Sequence, residues 1–211
     1  MKLPLLNIDG SKNSSIELSD KLLKQKVNFK LIKYVIDWHL NHLKPRTAKT
    51  KQRNQIKGST KKIVAQKGSG GARHASKKAP IFVGGGVAHG PKGAVYKKKK
   101  INKKVRKLAL AQSLSKKNLD KNLHIMEDVK KEIKKTKEFY NFLVKNKLIN
   151  VLILSDADTL KNINKSARNI KNLKLLKDEG VNIYDLFRYK NVIITSSSVK
   201  KIQERILNEK N

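Results

Sequence analysis

Two aspartates come closest to a catalytic arrangement in this sequence. Asp156 and Asp158 follow an apolar run at residues 151–154, which is typical of a strand buried on both faces of a sheet. Open α/β sheets often place ligand sites beyond the carboxyl ends of such strands, and two carboxylates there could hold Mg²⁺ for a nuclease. Because no third acid and no paired base stands nearby in the sequence, we favour a role in turn formation and helix capping.

Glycine-rich segments raise the alternative of a phosphate-binding loop. Residues 85–92 read GGVAHGPK, but Pro91 separates the last glycine from Lys92, and no serine or threonine follows. Residues 68–71 read GSGG and lack the third spaced glycine of a dinucleotide-binding fingerprint. We therefore predict that these glycines let the backbone approach a rigid partner closely and adopt positive φ angles.

The placement of charge is a more specific signal. The 211 residues carry 50 Lys and Arg against 16 Asp and Glu, which gives a net charge of +34. No acid occurs between Asp37 and Asp120, and 23 of the basic residues lie in those 82 positions. An ordinary exposed surface mixes both signs, so the pattern favours binding to the phosphates of a nucleic acid, with an anionic membrane as the second choice.

Histidines are the other candidate metal ligands. His39 and His42 share a predicted helix and could touch a metal ion, but no carboxylate partner accompanies them. The chain has no cysteine, which excludes disulfides, thiolate metal sites and cysteine nucleophiles. We predict no metal site and no cofactor. His74, which lies beside Arg73, is better interpreted as a contact to a base or a phosphate.

The basic segment also differs in composition from its flanks. Nine of the eleven glycines lie between Gly58 and Gly93. Large apolar residues are sparse from about Arg46 to Lys100, so this stretch cannot bury enough surface to offset the entropy lost on ordering. We predict that it is extended and mobile in the isolated chain and becomes ordered against a partner. The length of the chain fits one domain, or one domain with a long appendage.

The flanking sequence has the periodicity of folded elements. Strands are predicted at residues 3–8, 124–126, 151–154 and 192–194, and helices at 28–43, from 102 onward, at 136–147, at 165–172 and from 198 onward. Asn28, Asn102 and Ser198 are the predicted caps. Strands alternating with helices predict an α/β layered domain with a mainly parallel sheet. The residues at helical spacing in the first two helices are Leu31, Ile32, Val35, Ile36, Trp38, Leu40, Val105, Leu108, Ala109 and Gln112. The side chains predicted to face inward in later helices are Phe139, Phe142, Leu143, Val199, Ile202 and Ile206.

Targeting signals are not evident in the sequence. No apolar run approaches the roughly 20 residues of a membrane span. Residues 1–7 are too short and too soon polar for a secretory signal. We expect the chain to work in the compartment in which it is made.

Residues 66–74 read QKGSGGARH, residues 84–92 read GGGVAHGPK and residues 103–110 read KKVRKLAL. In this order, and with shorter matches over nearly the whole chain, these motifs resemble the bacterial form of the large-subunit ribosomal protein four family. The most specific is QKGSGGARH at residues 66–74, similar to the family's Q-K-G-(T/S)-G-x-A-R core. GGGVAHGPK at residues 84–92 looks like the family's glycine triplet and G-P pair, and KKVRKLAL at residues 103–110 resembles its K-K-V-R-x-L-A-L helix. Shorter matches lie at residues 16–20, 46–51, 167–169 and 182–186. The form of residues 71–74 resembles the alphaproteobacterial branch.

The resemblance implies both a fold and a function. The fold would be a Rossmann-like three-layer domain of residues 1–45 and 100–211, with residues 46–99 as a long extended basic loop inserted between two helices. The function would be that of a structural, non-catalytic constituent of the large ribosomal subunit, which supports early assembly and whose loop tip lines the nascent-peptide exit tunnel. The implied partners are large-subunit ribosomal RNA, neighbouring ribosomal proteins and the nascent peptide, without a membrane. The implied location is on ribosomes in the cytoplasm.

The resemblance and the charge pattern together suggest individual contact residues. The predicted ribosomal-RNA contacts are Arg46, Lys49, Lys51, Arg53, Lys57, Lys61, Lys62, Arg73, His74, Lys77, Lys78, Lys92, Lys103, Lys104 and Arg106. The predicted tunnel tip consists of Gln66, Lys67, Gly68, Ser69, Gly70, Gly71, Ala72 and Arg73.

The tip departs from the family pattern at three positions. Many bacterial members have Trp and Arg where this chain has Val64 and Ala65, and Arg where it has Gly71. The tip therefore lacks one aromatic stacking group and two guanidinium groups.

A bacterial gene product and a mitochondrial one of similar ancestry both fit the sequence. Two other functions remain as alternatives: a nuclease that uses Asp156 and Asp158, and a basic protein that docks on anionic membranes through residues 28–43.

Overall fold

The computed structural model describes residues 2–7, 15–93 and 99–207. Within these residues the strands are β1 Lys2–Leu6, β2 Ser15–Glu17, β3 Leu123–Met126, β4 Val151–Ser155, β5 Leu173–Lys177 and β6 Asn191–Thr195. The α-helices are α1 Asp20–Leu23, α2 Phe29–Leu43, α3 Lys103–Leu119, α4 Thr136–Lys145, α5 Ala157–Ala167, α6 Ile183–Arg188 and α7 Ser196–Leu207. Short 3₁₀ helices occupy Arg53–Gln55 and Asp178–Gly180.

The strands form one sheet in the order β2-β1-β3-β6-β4-β5. β2 pairs antiparallel with β1, and all other neighbouring strands are parallel. Parallel neighbours need long crossover connections, which the helices between these strands provide. The predicted α/β class and mainly parallel sheet are confirmed.

Helices cover both faces of this sheet because the strand side chains alternate between two apolar cores. On β4, Leu152 and Leu154 join one core, whereas Val151 and Ile153 join the other. Every residue of β4 and β6 is buried, as expected for strands covered on both faces. The first core includes side chains from α1, α2, α3, α6 and α7, and the second includes side chains from α4 and α5.

The predicted helix at residues 28–43 is confirmed. The Asn28 side-chain oxygen accepts hydrogen bonds from the amides of Lys30 (3.0 Å) and Leu31 (3.3 Å), which caps α2. Ile32 and Val35 face the core and are buried.

The helix predicted from residue 102 onward begins at Lys103. Asn102 precedes it, but the Asn102 side chain caps none of the described backbone amides. Of the residues at helical spacing, Ala109 and Gln112 are buried, whereas Leu108 is 44% exposed. Gln112 accepts a hydrogen bond from the Asn28 amide (3.2 Å), so α3 helps to fix the start of α2.

The elements after β4 differ most from those predicted from the sequence. The predicted helix at residues 165–172 is wrong, because α5 starts directly after Asp156 and ends at Ala167. Two later elements, β5 and α6, are not predicted from the sequence. In β5, lysines interrupt the apolar pattern. β2 and α1 were also missed.

The last helix contradicts the predicted cap at Ser198. α7 begins at Ser196, and Ser198 lies buried in its first turn, where it accepts a hydrogen bond from the Thr195 hydroxyl (2.9 Å). Val199 and Ile202 are buried as predicted. At the other end of the chain, Ile8 of the predicted strand 3–8 lies outside the described residues.

The chain divides into two compact units. One consists of Met1–Leu40 and Lys100–Asn211 and contains the sheet and both cores. The other, Asn41–Lys99, contains among its described residues the end of α2, the 3₁₀ turn at Arg53–Gln55 and one antiparallel bridge between Lys49 and Lys92.

Candidate nucleic-acid interface

Backbone hydrogen bonds between distant segments hold the unit Asn41–Lys99 together. The amide of Thr50 donates to the carbonyl of Pro91 (2.9 Å), next to the Lys49–Lys92 bridge. Three more backbone hydrogen bonds connect distant segments of the unit. They run from the Val87 amide to the Lys51 carbonyl (2.9 Å), from the Gly86 amide to the Lys78 carbonyl (3.0 Å) and from the Ile63 amide to the Ala75 carbonyl (3.0 Å). The segment is thus folded by backbone contacts rather than by a large apolar core.

Glycine makes this close backbone approach possible at Gly86. A β-carbon added there would lie 2.6 Å from Arg53 Cα and 2.7 Å from the Gln52 carbonyl carbon. Both neighbours are backbone atoms, so neither could move aside independently. The close approach at Gly86 is therefore made to the chain's own backbone, whereas the predicted approach of these glycines to a rigid partner stays a prediction.

The predicted phosphate contacts of this unit lie on its surface. Their exposed members are Arg46, Lys49, Lys51, Arg53, Lys57, Lys61, Lys62, Arg73, Lys77 and Lys92, while Lys78 and His74 are half-buried. The unit has 16 Lys and Arg and no Asp or Glu in its sequence. Like charges without acidic residues among them create a positive field that a polyanion can neutralise.

The predicted tip, residues 66–73, is exposed along its whole length. Gly68 and Gly70 have φ angles of +80° and +66°, a conformation that side-chain-bearing residues rarely adopt. The Lys62 ammonium group donates a hydrogen bond to the side-chain oxygen of Gln66. The tip is therefore a glycine-dependent turn with polar side chains available to a partner.

His74 has a neighbour that sequence reasoning missed. Its ring meets the Phe82 ring edge-on, with centroids 5.0 Å apart. The buried Nδ1 of His74 has no hydrogen-bond partner among the described residues. Local sequence gave no signal for this contact, because the two residues come together only through the fold of the segment.

The remaining predicted contacts lie in the unit that contains the sheet. Lys103, Lys104 and Arg106 are exposed in the first turn of α3. The Arg106 guanidinium lies over the Trp38 ring, 5.2 Å from its centroid, which restricts its orientation.

The two aspartates considered for nuclease chemistry do not converge. Asp156 binds the ammonium group of Lys201, which lowers the pKa of the carboxyl below its usual range and raises that of the lysine. Asp158 is highly exposed and pairs with Lys161 (3.5 Å). Lys201 also lies 3.5 Å from Asp178, so lysine occupies the position between carboxylates that a metal ion would need. In the described part of the chain, no group of three His, Cys, Asp or Glu side chains could hold a metal ion.

A carboxylate that follows β3 also has a structural role. Asp128 accepts hydrogen bonds from the Ser196 hydroxyl (2.7 Å), the Ser197 hydroxyl (2.8 Å) and the Ser197 amide (3.2 Å). These bonds fix the start of α7. No described helix is long and apolar enough to cross a membrane.

Comparison with known proteins agrees with the motifs. The family model described as "Ribosomal protein L4/L1 family" matches residues 16–205. The chain is 48% identical over 206 residues to large ribosomal subunit protein uL4 of Pelagibacter ubique, covering 97% of this chain and 99% of that protein. It is 34% identical over 206 residues to uL4 of Hyphomonas neptunium, with 97% and 96% covered. It is 39% identical over 202 residues to uL4 of Geotalea daltonii, with 96% and 97% covered. The resemblance over nearly the whole chain, including its alphaproteobacterial character, is confirmed.

Proposed function

The chain belongs to the ribosomal protein L4/L1 family, and from this premise we propose that it is a structural constituent of the large ribosomal subunit that binds large-subunit ribosomal RNA. The family is one of structural proteins rather than enzymes. The proposal includes a role in early assembly, contacts with neighbouring ribosomal proteins, and a location on ribosomes in the cytoplasm.

One observation carries the RNA-binding part of the proposal. In the unit Asn41–Lys99, most of the basic side chains in the described residues are exposed, backbone hydrogen bonds hold the segments together, and the sequence contains no acid. Each exposed Lys or Arg can replace a counterion on a phosphate, which yields affinity without reading sequence. Because glycine has no side chain, chain segments that pack together at glycines stay thin. Thin segments are suited to insertion between RNA helices.

The two parts of the chain have different roles in this proposal. Residues 1–45 and 100–211 form a Rossmann-like three-layer domain, which is supported by helices on both faces of the mainly parallel sheet. Residues 46–99 form the extended basic loop that penetrates the RNA. This role is supported by the absence of acids from its sequence and by the exposure of most of its described basic side chains.

The tip, residues 66–73, lines the nascent-peptide exit tunnel in this proposal. Its full exposure and its positive φ angles at Gly68 and Gly70 support a role in contacts rather than in packing. Lys67 would lie at a narrow opening and contact either RNA phosphates or the passing peptide.

Salt dependence of RNA binding tests the phosphate contacts. Affinity for a large-subunit ribosomal-RNA fragment should fall with a log–log slope of roughly −0.7 to −0.9 per phosphate contacted. Replacing Lys61, Lys62 and Lys77 by glutamine should flatten the slope by about 2 to 3 units. The matched control replaces Lys137, Lys171 and Lys200, which are exposed in the other unit, and should leave the slope within about 0.5 of the original. Equal slopes for the two triple variants would place the RNA interface elsewhere.

Incorporation into ribosomes tests the structural role directly. The tagged chain should sediment with large subunits in a high-salt gradient. For the tip, Lys67→Glu and Gly70→Asp should enter subunits at near-normal stoichiometry yet change sensitivity to drugs that bind in the upper tunnel. Lys67→Gln separates loss of charge from charge reversal. Quantitative mass spectrometry and drug-inhibition curves decide the outcome: variants missing from subunits would make the tip an assembly element instead.

A further inference from the structure

A cavity of about 390 Å³ lies in the unit that contains the sheet, between α2, the first turns of α3 and the start of α6. Its floor is apolar, because Val35, Leu110, Val181 and Ile183 are all buried there. The volume falls within the range of about 300–1,000 Å³ that is typical of small-molecule sites. None of the roles assigned above uses this cavity as a whole.

Aromatic rings form one wall of the cavity. Trp38 and His39 both line it from α2. The Trp38 ring lies under the Arg106 guanidinium, and the His39 ring stacks on Tyr184 with centroids 5.9 Å apart and planes 25° from parallel. These contacts cover one face of each ring and restrict both, so the parts of Trp38, His39 and Arg106 that line the cavity need little reordering to receive a planar ligand.

Cationic side chains form the rim. Lys103, Arg106, Lys107 and Arg205 line the cavity, and none of the described residues that line it is acidic. The Arg205 guanidinium donates to the carbonyls of Asp178 (3.3 Å) and Glu179, which fixes its position at the rim. Lys103 and Arg106 are exposed, so their charges remain accessible. The cavity therefore combines planar stacking surfaces with a concentrated positive charge.

We propose that this cavity binds one unstacked nucleotide, with its base against the Trp38 and His39 wall and its phosphate at Lys103, Arg106 and Lys107. A site for phosphate alone would have no need of the apolar floor, and a site for an apolar ligand would have no need of the cationic rim. Base stacking on aromatic and guanidinium planes combined with phosphate contacts is the chemistry of single-stranded RNA recognition. The proposed function enters this assignment at one point only: it identifies the bound nucleotide as an unpaired nucleotide of RNA rather than a free nucleotide.

Tryptophan fluorescence tests the assignment with unusual directness, because Trp38 is the only tryptophan in the sequence. Titration of the full chain with AMP should give saturable quenching as the base stacks near the indole. Ribose 5-phosphate carries the phosphate without the base and should bind about tenfold more weakly or worse, a difference of about 1.4 kcal/mol. Equal affinity for the two, or no saturable quenching by AMP, would overturn the proposal.

Charge-removing variants locate the phosphate. Lys103→Gln and Arg106→Gln should each weaken AMP binding by about threefold or more. Lys33→Gln removes an exposed charge from α2 that does not line the cavity and should leave AMP binding unchanged. Circular dichroism verifies the fold of each variant. Because Arg106 lies over the Trp38 ring, Arg106→Gln can change the fluorescence of Trp38 by itself, and Lys103→Gln then provides the test of the phosphate position. Unchanged AMP binding in both cavity variants would refute the placement of the phosphate.

The source of the nucleotide is decided by comparing ligands. A single-stranded heptanucleotide should quench Trp38 at a concentration at least about tenfold lower than AMP, because flanking phosphates add contacts. A blunt RNA duplex should not quench it. Equal affinity of AMP and the heptanucleotide would assign the site to free nucleotides and overturn the RNA source. The Lys61, Lys62 and Lys77 triple glutamine variant should still bind AMP, which separates failure of this inference from failure of the proposed function.

Discussion

Substituting Gly86 by alanine tests whether the close backbone packing of residues 41–99 is the structure that binds RNA. The added β-carbon would lie 2.6 Å from Arg53 Cα, so one backbone segment must move. The Gly86 amide donates to the Lys78 carbonyl (3.0 Å), and the Val87 amide donates to the Lys51 carbonyl (2.9 Å). Displacement at Gly86 would therefore also weaken these two backbone hydrogen bonds.

The expected loss follows from the cost of overpacking. Forcing a methyl group into a well-packed site costs about 1–3 kcal/mol. The sequence predicts that this segment becomes ordered only against RNA, and in that case the whole cost appears in the binding free energy. A cost of about 2 kcal/mol would weaken binding to a ribosomal-RNA fragment by about 30-fold.

Gly71→Ala is the matched comparison for this variant. It makes the same chemical change where the nearest atom to the new β-carbon lies 3.9 Å away. Filter binding at fixed salt should place Gly71→Ala within about twofold of the original chain. The salt slopes of both variants should match the original, because neither changes a charge. If Gly86→Ala bound as tightly as Gly71→Ala, the close backbone packing of residues 41–99 would not be the RNA-bound form.

Three further outcomes follow from the fold. Phe139→Ala should lower the free energy of unfolding by about 3–5 kcal/mol in denaturant titrations, because Phe139 is fully buried, whereas the neighbouring Tyr140→Ala on the exposed face should cost under about 1 kcal/mol. The Lys201 ammonium lowers the pKa of Asp156 from its ordinary value of 3.8, so the stability it contributes is present above that value and is lost as the pH falls through the lowered pKa. The stability advantage of the original chain over Asp156→Asn should thus be constant from about pH 7 to about pH 5 and shrink below about pH 4. Limited proteolysis without RNA should cut residues 46–100 first, and a segment there that resists cleavage as long as the sheet would contradict the predicted disorder.

Continuous apolar runs and capping residues made part of the fold predictable from sequence. The run at residues 151–154 predicted β4 because a strand covered on both faces has no polar face to interrupt it. Asn28 predicted the start of α2 because its side chain satisfies amides only two and three residues away. β5 was missed because its lysines break the apolar run, and one of them, Lys174, lies 2.6 Å from the buried Asp185 carboxylate, eleven residues away along the chain.

The candidate RNA interface was predictable in its composition but not in its shape. Charge is a property of residue type, so the acid-free segment and its basic residues could be read directly from the sequence. The approach of Gly86 to Arg53 and the contact of His74 with Phe82 depend on how the segment turns back on itself. No local pattern encodes those turns.

By itself, the sequence determined the family, the α/β class, the position of the basic segment and the absence of cysteine chemistry, because each depends on residue types or on spacing within a single element. The tertiary structure alone decided that Lys201 binds Asp156 and that Leu108 is exposed. It also decided that Trp38, Lys103 and Arg205 surround one cavity. These arrangements join residues from different helices and strands, and they depend on which faces of those elements meet when two apolar cores close on one sheet.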